Sequence, residues 1–293
     1  MRLPRAFSYK PFFTHPTPST FSTYWSTTPP PLRQPHKFPS SLLTPHIPAF
    51  KTWFHPNTNE LNTTYLNPLI TSTNVPVEIT IPGEDGEPAA LPFNTFLNYL
   101  TSNDDGPGIY LTQHPPPPSL VDDLPPPFSH LGFTVIPAYQ RGKGGICVYT
   151  SSLWLSRATN ETHTPLHRDP NDNLFLQLSS SKKIITISPE MGDTIFRHLH
   201  QKGKLSSTDP RGRIRDGLLM AKESGVFDRI FWCPEDVEDE IEEEVVNTLA
   251  SSEVYFTTVE RGEAVYIPRG WWHSVKSVVG DRGVVGSMNW WFR

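Results

Sequence analysis

The second half of the chain is patterned in short apolar runs separated by turn residues. From Leu131 onward these runs predict strands over Ile146–Leu155, Asn173–Leu178, Lys183–Ile187, Val254–Val259, Ala264–Ile267, His273–Val279 and Val284–Trp291. Short strands with turn signals at modest spacing point to a β-sandwich or barrel. The first half is more mixed. Residues 60–70 predict a short helix. Val75-Pro-Val-Glu-Ile-Thr-Ile81 alternates, which predicts a strand, and its proline points to a sheet edge. Pro92, then Phe93, Phe96, Leu97 and Leu100, give a proline start and one apolar face, hence a helix. Ile109-Tyr-Leu111 predicts a short strand, and Pro115 to Pro127 a proline-broken loop.

Two stretches break this pattern. Eleven of the 32 prolines fall before Phe50, among many Ser and Thr, and Glu60 is the first carboxylate in the chain. The cations of that stretch are Arg2, Arg5, Lys10, Arg33 and Lys37. A basic, Ser-rich, acid-free segment has the composition of an organelle transit peptide, and one this rich in proline is also that of a disordered tail. Residues 1–46 are therefore expected to be a disordered leader. A mitochondrial location is its functional reading, a cytoplasmic or nuclear one the alternative. The second stretch is a charged insert over 190–250. Its first half carries Arg197, Lys202, Lys204, Arg211, Arg213 and Arg215, and its second half has eight acids in the ten residues 235–244. That acidic run passes into Val245, Val246 and Leu249, as the first turns of a helix would. Such charge runs are solvated surface, or else attract an oppositely charged substrate. The expected division is a leader over 1–46, an N-terminal α/β elaboration over 47–130, and a core over 131–293 that contains the insert.

Composition adds mainly exclusions. A net charge of −5 over 293 residues implies no overall polyanion partner. No run of 18 apolar residues is present, so no membrane-spanning helix is expected. Two cysteines, Cys147 and Cys233, make neither a disulfide framework nor a cysteine-rich zinc module.

The chemistry lies in two segments about a hundred residues apart, Thr164-Pro-Leu-His167-Arg-Asp169 and Tyr266-Ile-Pro-Arg-Gly-Trp-Trp-His273. Residues i and i+2 of a strand face the same side, so His167 and Asp169 can grip one ion from a single strand end. A His-x-Asp pair alone is weak. His273 follows a turn, an apolar strand and a second Pro/Gly turn, which suits an imidazole at the mouth of a small barrel. Two imidazoles and one carboxylate are the set that holds non-heme Fe(II) with open positions for oxygen chemistry. His163, four residues before His167, is a minor alternative ligand.

These segments, with their spacing, resemble the JmjC branch of the cupin-fold oxygenases that use Fe(II) and 2-oxoglutarate, and within it the small JmjC-only protein hydroxylases. The likeness continues through Asn173, Gln177 and Lys182, fifteen residues past His167, and through Ser287-Met-Asn-Trp-Trp291. Val75-Pro-Val-Glu78 and Tyr110-Leu-Thr-Gln-His114 look related too. The resemblance implies a mainly β fold with flanking helices, a double-stranded β-helix (jelly-roll) core. It implies Fe(II) on His167, Asp169 and His273, with 2-oxoglutarate and O2 as co-substrates. Lys182 would pair with the far carboxylate of 2-oxoglutarate, Thr164 would add a hydroxyl, and Asn173 and Asn289 would line the pocket. A tyrosine would complete that clamp, with Tyr149 and Tyr139 as candidates. Lys183 would face the other way from Lys182 on a strand. The protein departs from the family in two places. No glycine precedes the first histidine between Trp154 and His163, and serines stand before Lys182 where relatives have glycine.

The expected activity is that of a hydroxylase acting on a C–H bond within a protein or peptide side chain. The alternatives are removal of an N-methyl group, RNA modification, for which Arg211, Arg213 and Arg215 speak, and a non-catalytic cupin binding module. Cupin relatives often dimerise, so a homodimer is a further expectation of the resemblance.

Overall fold

The computed structural model describes residues 9–14, 17–55, 58–70, 72–80, 87–102, 106–137, 145–201, 225–233 and 253–293. Fourteen strands are found among them. They are β1 (Tyr9–Lys10), β2 (Phe13–Thr14), β3 (His36–Phe38), β4 (Asn74–Thr80), β5 (Glu87–Pro92), β6 (Gly108–His114) and β7 (Val148–Arg157). The remainder are β8 (His163–Arg168), β9 (Asp172–Ser179), β10 (Ser181–Ile187), β11 (Val254–Glu260), β12 (Ala264–Ile267), β13 (Trp272–Ser277) and β14 (Val284–Phe292). The longer helices are α1 (Pro18–Thr27), α2 (Phe93–Thr101), α3 (Pro189–Gln201) and α4 (Gly225–Trp232).

The strands form two sheets. One has the order β1-β11-β10-β13-β8, the other β2-β3-β12-β9-β14-β7-β6-β4-β5. From β7 to β14 the polypeptide passes back and forth between them, so that β8, β10, β11 and β13 face β7, β9, β12 and β14. All sheet pairings within this core are antiparallel. This is the expected double-stranded β-helix. Strands β6, β4 and β5 widen the larger sheet on one side, and β3 and β2 on the other.

Alternation along the strands of the larger sheet sorts its two faces. Leu174, Leu176 and Leu178 of β9, Ala264 and Tyr266 of β12, and Met288, Trp290 and Phe292 of β14 join one apolar cluster with Phe21, Phe38, Leu43, Trp53 and Phe128. The intervening residues Asn173, Gln177, Ser287 and Asn289 are buried on the opposite, inward face. The larger sheet is thus apolar outward, where the N-terminal half covers it, and mixed inward, where these polar groups stand beside Phe175, Val265 and Ile267. The smaller sheet is covered by α3 and α4, whose Met191, Ile195, Phe196, Leu199, Ile230 and Phe231 pack on Leu166, Ile185, Ile187 and Trp272. Among the described residues no helix is long and apolar enough to cross a membrane. Both cysteines are free.

Three expectations are corrected. The leader over 1–46 is not a disordered tail where it is described. Phe12, Phe21, Phe38 and Leu43 are buried, and β3 pairs with β12. Its aromatic residues, not its prolines, decide its fate: Phe21 and Phe38 have the exposed face of the larger sheet to cover, and Phe12 packs with Phe175, Ile184 and Tyr255. Second, the strand with Pro76 is internal, lying between β5 and β6. Pro76 opposes Ala90 of β5, and the ladder with β6 begins only at Val77, so the missing N–H falls beyond that ladder. Third, the start of the charged insert is the helix α3, with Pro189 at its head and Glu190 in its first turn. Arg211, Arg213, Arg215 and the acidic run lie outside the described residues.

The leader is tied to the core by a buried ion pair. Arg33 donates from Nη1 to Asp172 Oδ2 at 3.1 Å, with both side chains nearly inaccessible. It also donates to the carbonyls of Trp25 and Thr28, and its guanidinium lies over the Trp25 ring. Asp172 in turn accepts from Tyr266 Oη and the Arg269 backbone N–H. Removing one partner of such a pair strands a charge in low dielectric, which costs about 3–5 kcal/mol. Arg33→Ala is expected to lower unfolding stability by about 3 kcal/mol in urea titration. A loss under about 1 kcal/mol would show that the leader is not integral to the fold.

Candidate metal centre

The centre is built where β8 and β13 pair. His167 opposes His273 and Arg168 opposes Trp272 across the two strands. Alternation turns both histidines inward and Arg168 and Trp272 outward, onto α3. The ladder then slips: Val275 opposes Thr164, so β8 carries one extra residue between Thr164 and His167. This bulge, at Pro165 and Leu166, has a consequence for the site. Residues three apart on a regular strand face opposite sides, and the inserted residue restores Thr164 to the side of His167. A proline needs no ladder N–H and is at home there.

His167, Asp169 and His273 each offer a ligand atom, and these atoms all lie within 4.8 Å of one another. His273 Nε2 is 3.7 Å from Asp169 Oδ2, and the two imidazole centroids are 4.2 Å apart. The Nδ1 atom of His167 sits 2.8 Å from the Pro165 carbonyl, and that of His273 3.1 Å from the Trp271 carbonyl. A carbonyl only accepts, so each Nδ1 carries a proton, which leaves Nε2 as the nitrogen available to a metal. Burial first, then neighbouring His167, pushes the His273 imidazole down to about 4, against the pull of Asp169. His273 is therefore neutral at pH 7, the form that binds a metal. Asp169 Oδ2 accepts from Trp291 Nε1 at 2.7 Å and from Asn173 Nδ2 at 3.2 Å. Asn289 Nδ2 donates to Asn173 Oδ1 at 2.8 Å. The two asparagines and the tryptophan thus orient the carboxylate.

A cavity runs inward from the three ligands. Thr164, Asn173, Lys182, Tyr110, Trp154 and Asn289 are among its lining residues. Lys182 lies on β10 and is buried, whereas Lys183 is exposed. Lys182 Nζ donates to Ser287 Oγ at 3.0 Å and to Tyr110 Oη at 3.3 Å, and it makes no ion pair among the described residues. Desolvation lowers it to about 7. Burial also raises the Tyr110 phenol, which hydrogen-bonds Thr164. A buried ammonium ringed by hydroxyls, with no carboxylate, is a receptor for an anion.

The site residues read from the sequence converge on this one cavity. The tyrosine does not match either candidate. Tyr149 is exposed at the rim, bonded to Asn171 and under the Arg293 guanidinium, and Tyr139 lies outside the described residues. Tyr110 on β6 reaches Lys182 instead. The signal for it was the alternation of the strand around Ile109, which turns a single tyrosine inward. His163 faces outward, 3.1 Å from Ser274 Oγ and edge-on to Trp232, away from the ligand group. The two departures from the family pattern differ in weight. Residues 158–162 turn with ordinary backbone angles and need no glycine, whereas Ser180 sits at φ 58, the left-handed region that glycine occupies without strain.

The sequence family described as "Cupin-like domain" matches residues 43–293. "Lysine-specific demethylase JMJ30" of Arabidopsis thaliana is 27% identical over 238 residues, covering 80% of this chain and 45% of that protein. "Lysine-specific demethylase JMJ32" of the same plant is 24% identical over 147 residues, 48% of this chain and 41% of that protein. "JmjC domain-containing protein 4" of Schizosaccharomyces pombe is 30% identical over 82 residues, 28% of this chain and 16% of that protein. The chain spans less than half the length of each of these relatives.

The lysine gives a prediction with a definite sign. An anion pairs with the ammonium form, whose fraction in the free protein falls as pH rises through about 7. The affinity for 2-oxoglutarate, measured by calorimetry with Mn(II) present, should weaken about tenfold from pH 6 to pH 8. Lys182→Met should weaken it about a hundredfold and flatten that pH dependence, while raising the thermal midpoint of the ligand-free protein. An unchanged affinity in Lys182→Met would remove Lys182 from the anion site.

Proposed function

Because the chain belongs to the cupin-like domain family, in its JmjC branch, we propose that it is an Fe(II)- and 2-oxoglutarate-dependent oxygenase acting on a protein or peptide side chain. The observation that carries this reading is the joint one of donor set and anion receptor. Three ligand atoms sit within 4.8 Å, both histidines have Nδ1 committed to a carbonyl, and a buried lysine with no ion pair among the described residues lies at the inner end of the same cavity. Two nitrogens and one carboxylate suit Fe(II), and an ammonium in the same cavity suits the carboxylate of a co-substrate.

His167, Asp169 and His273 would hold the metal, and Lys182, with Tyr110 and Thr164, the far carboxylate of 2-oxoglutarate. With O2, this pair of groups supplies oxidative decarboxylation of the keto acid to succinate and CO2, and insertion of one oxygen atom into a substrate C–H bond. The protein's own contribution is positioning. Asn173 and Trp291 fix the Asp169 carboxylate, so that its oxygens meet the ion without reorganising. Phe175, Ile267 and Val275 line the cavity with apolar surface that excludes water. Asn289 holds Asn173 in place from the opposite strand.

The product depends on the carbon presented. Hydroxylation of a stable C–H leaves an alcohol, whereas hydroxylation of an N-methyl carbon releases formaldehyde and leaves the demethylated amine. The Arabidopsis relatives are named as lysine demethylases, which favours the second outcome as the alternative. The groups that line the cavity serve both alike.

The test is turnover of purified protein with Fe(II), 2-oxoglutarate and a peptide pool that includes methyl-lysine peptides, read by succinate and by peptide mass. A gain of about 16 Da supports hydroxylation and a loss of about 14 Da supports demethylation. Both should vanish in His167→Ala. Tight metal binding without any succinate would replace this reading with a non-catalytic cupin.

A further inference from the structure

We propose that Asp193, on the outer helix α3, is a positioning residue for the metal ligands, acting through Arg168 and Trp272. The inference rests on the metal-site reading above. Its starting point is a cross-strand pair. His167 and His273 oppose each other on the inward face of β8 and β13, and the next pair along the ladder, Arg168 and Trp272, faces outward. Arg168 stands between the ligands His167 and Asp169 in the sequence, and Trp272 immediately precedes His273. One carboxylate oxygen takes both. Asp193 Oδ1 accepts from Trp272 Nε1 at 2.8 Å and from Arg168 Nη1. The Arg168 guanidinium also lies over the Trp272 ring, 5.1 Å from its centroid. Asp193 thereby bridges the two strands directly behind the ligands.

The surroundings fix that bridge. Trp272 is fully buried and packs against Phe196, one turn along α3, with ring centroids 5.2 Å apart. Gly192, beside Asp193, lets the helix lie against the indole: a Cβ there would stand 2.1 Å from the ring. The helix therefore sits close enough for a side chain as short as aspartate to reach both donors. A strand pair whose outer residues are joined by one acceptor has less freedom to splay, and splaying would part His167 from His273. Groups hydrogen-bonded to metal ligands typically account for about 10–100-fold in metal affinity, and Asp193, one residue further out, belongs at the lower end of that range. Asp193 is not among the residues that line the cavity, so its effect is confined to the spacing of the donors.

The experiment is Mn(II) titration of the whole 293-residue chain by calorimetry, with the thermal midpoint of the metal-free protein measured alongside. Asp193→Ala should weaken Mn(II) binding about tenfold. Asp193→Asn keeps an acceptor for Trp272 but loses the ion pair with Arg168, and should fall between the unaltered protein and Asp193→Ala. Thr194→Gly serves as the control, since it weakens the same helix without touching Arg168 or Trp272. It should lower the thermal midpoint and leave Mn(II) affinity within about twofold. If Asp193→Asn and Asp193→Ala, at matched loss of midpoint, weaken Mn(II) no more than Thr194→Gly does, the residue is merely structural and the proposal falls. If the unaltered protein does not bind Mn(II), the metal-site reading itself falls and takes this inference with it. Binding by the unaltered protein with undiminished binding by the Asp193 variants sinks the inference alone.

Discussion

The register between β8 and β13 is the constraint on which the site depends. It sets His167 against His273, and the bulge one step further sets Thr164 on the same inward side. A slip of one residue would turn every one of these side chains to the outer face. The two imidazoles would then meet α3, and Arg168 and Trp272 would enter the cavity. Nothing in the ligand residues themselves forbids that slip. What forbids it is the apolar and ionic matching of the layers on either side.

Those layers divide the work. On the smaller sheet, α3 and α4 bury the outward residues Leu166, Ile185, Ile187 and Trp272, which would be lost from the core in any other register. On the larger sheet the N-terminal half does the equivalent. Its aromatic residues cover β9, β12 and β14, and Arg33 reaches Asp172, which holds the turn at Arg269 through its backbone N–H. Trp271 Nε1 donates to the Arg33 carbonyl, closing the link from the leader to the segment that carries His273. The three candidate ligands stand on or beside short strands, but their spacing is determined by contacts that draw on most of the sequence.

Much of this was legible in the sequence, and the gaps have physical causes. The core strands could be read because their apolar runs are bounded by turn residues, whereas Lys182 was singled out by the resemblance, and strand alternation added only that Lys183 faces the other way. The leader was misread because composition averages over residues. Its prolines and missing acids speak for disorder, while Phe12, Phe21 and Phe38 act only once a sheet face exists for them to cover. The edge position expected of the strand at Pro76 failed because a proline needs only one unpaired side, and the β6 ladder stops just short of it. Tyr110 was missed because which tyrosine meets a lysine depends on sheet order, and β6 lies beside β7 only through a pairing between distant segments. The helix α3 carries a readable signal in Met191, Ile195, Phe196 and Leu199, but the charges that follow it dominate any average over the insert.

The charges within the cavity explain why such an arrangement is retained despite its cost. Among the residues that line it, Asp169 and protonated Lys182 are the formal charges, and they cancel without forming an ion pair, since Lys182 is bonded to hydroxyls. A carboxylate beside Lys182 would neutralise it and close the inner end to any anion. The hydroxyls of Tyr110 and Ser287 instead stabilise the ammonium without discharging it. Addition of a divalent cation at one end alone would leave two uncompensated charges in low dielectric, and addition of a dicarboxylate at the other would do the same with opposite sign. Only when both are added does the cavity return to neutrality. The electrostatics therefore couple the two ends, so that each ligand raises the affinity for the other by the same factor, as linkage requires. A sequence selected for stability alone would have placed an apolar side chain at position 182. On the proposed function, the buried lysine is intelligible as the half of a charge balance that a metal and an acid co-substrate would complete.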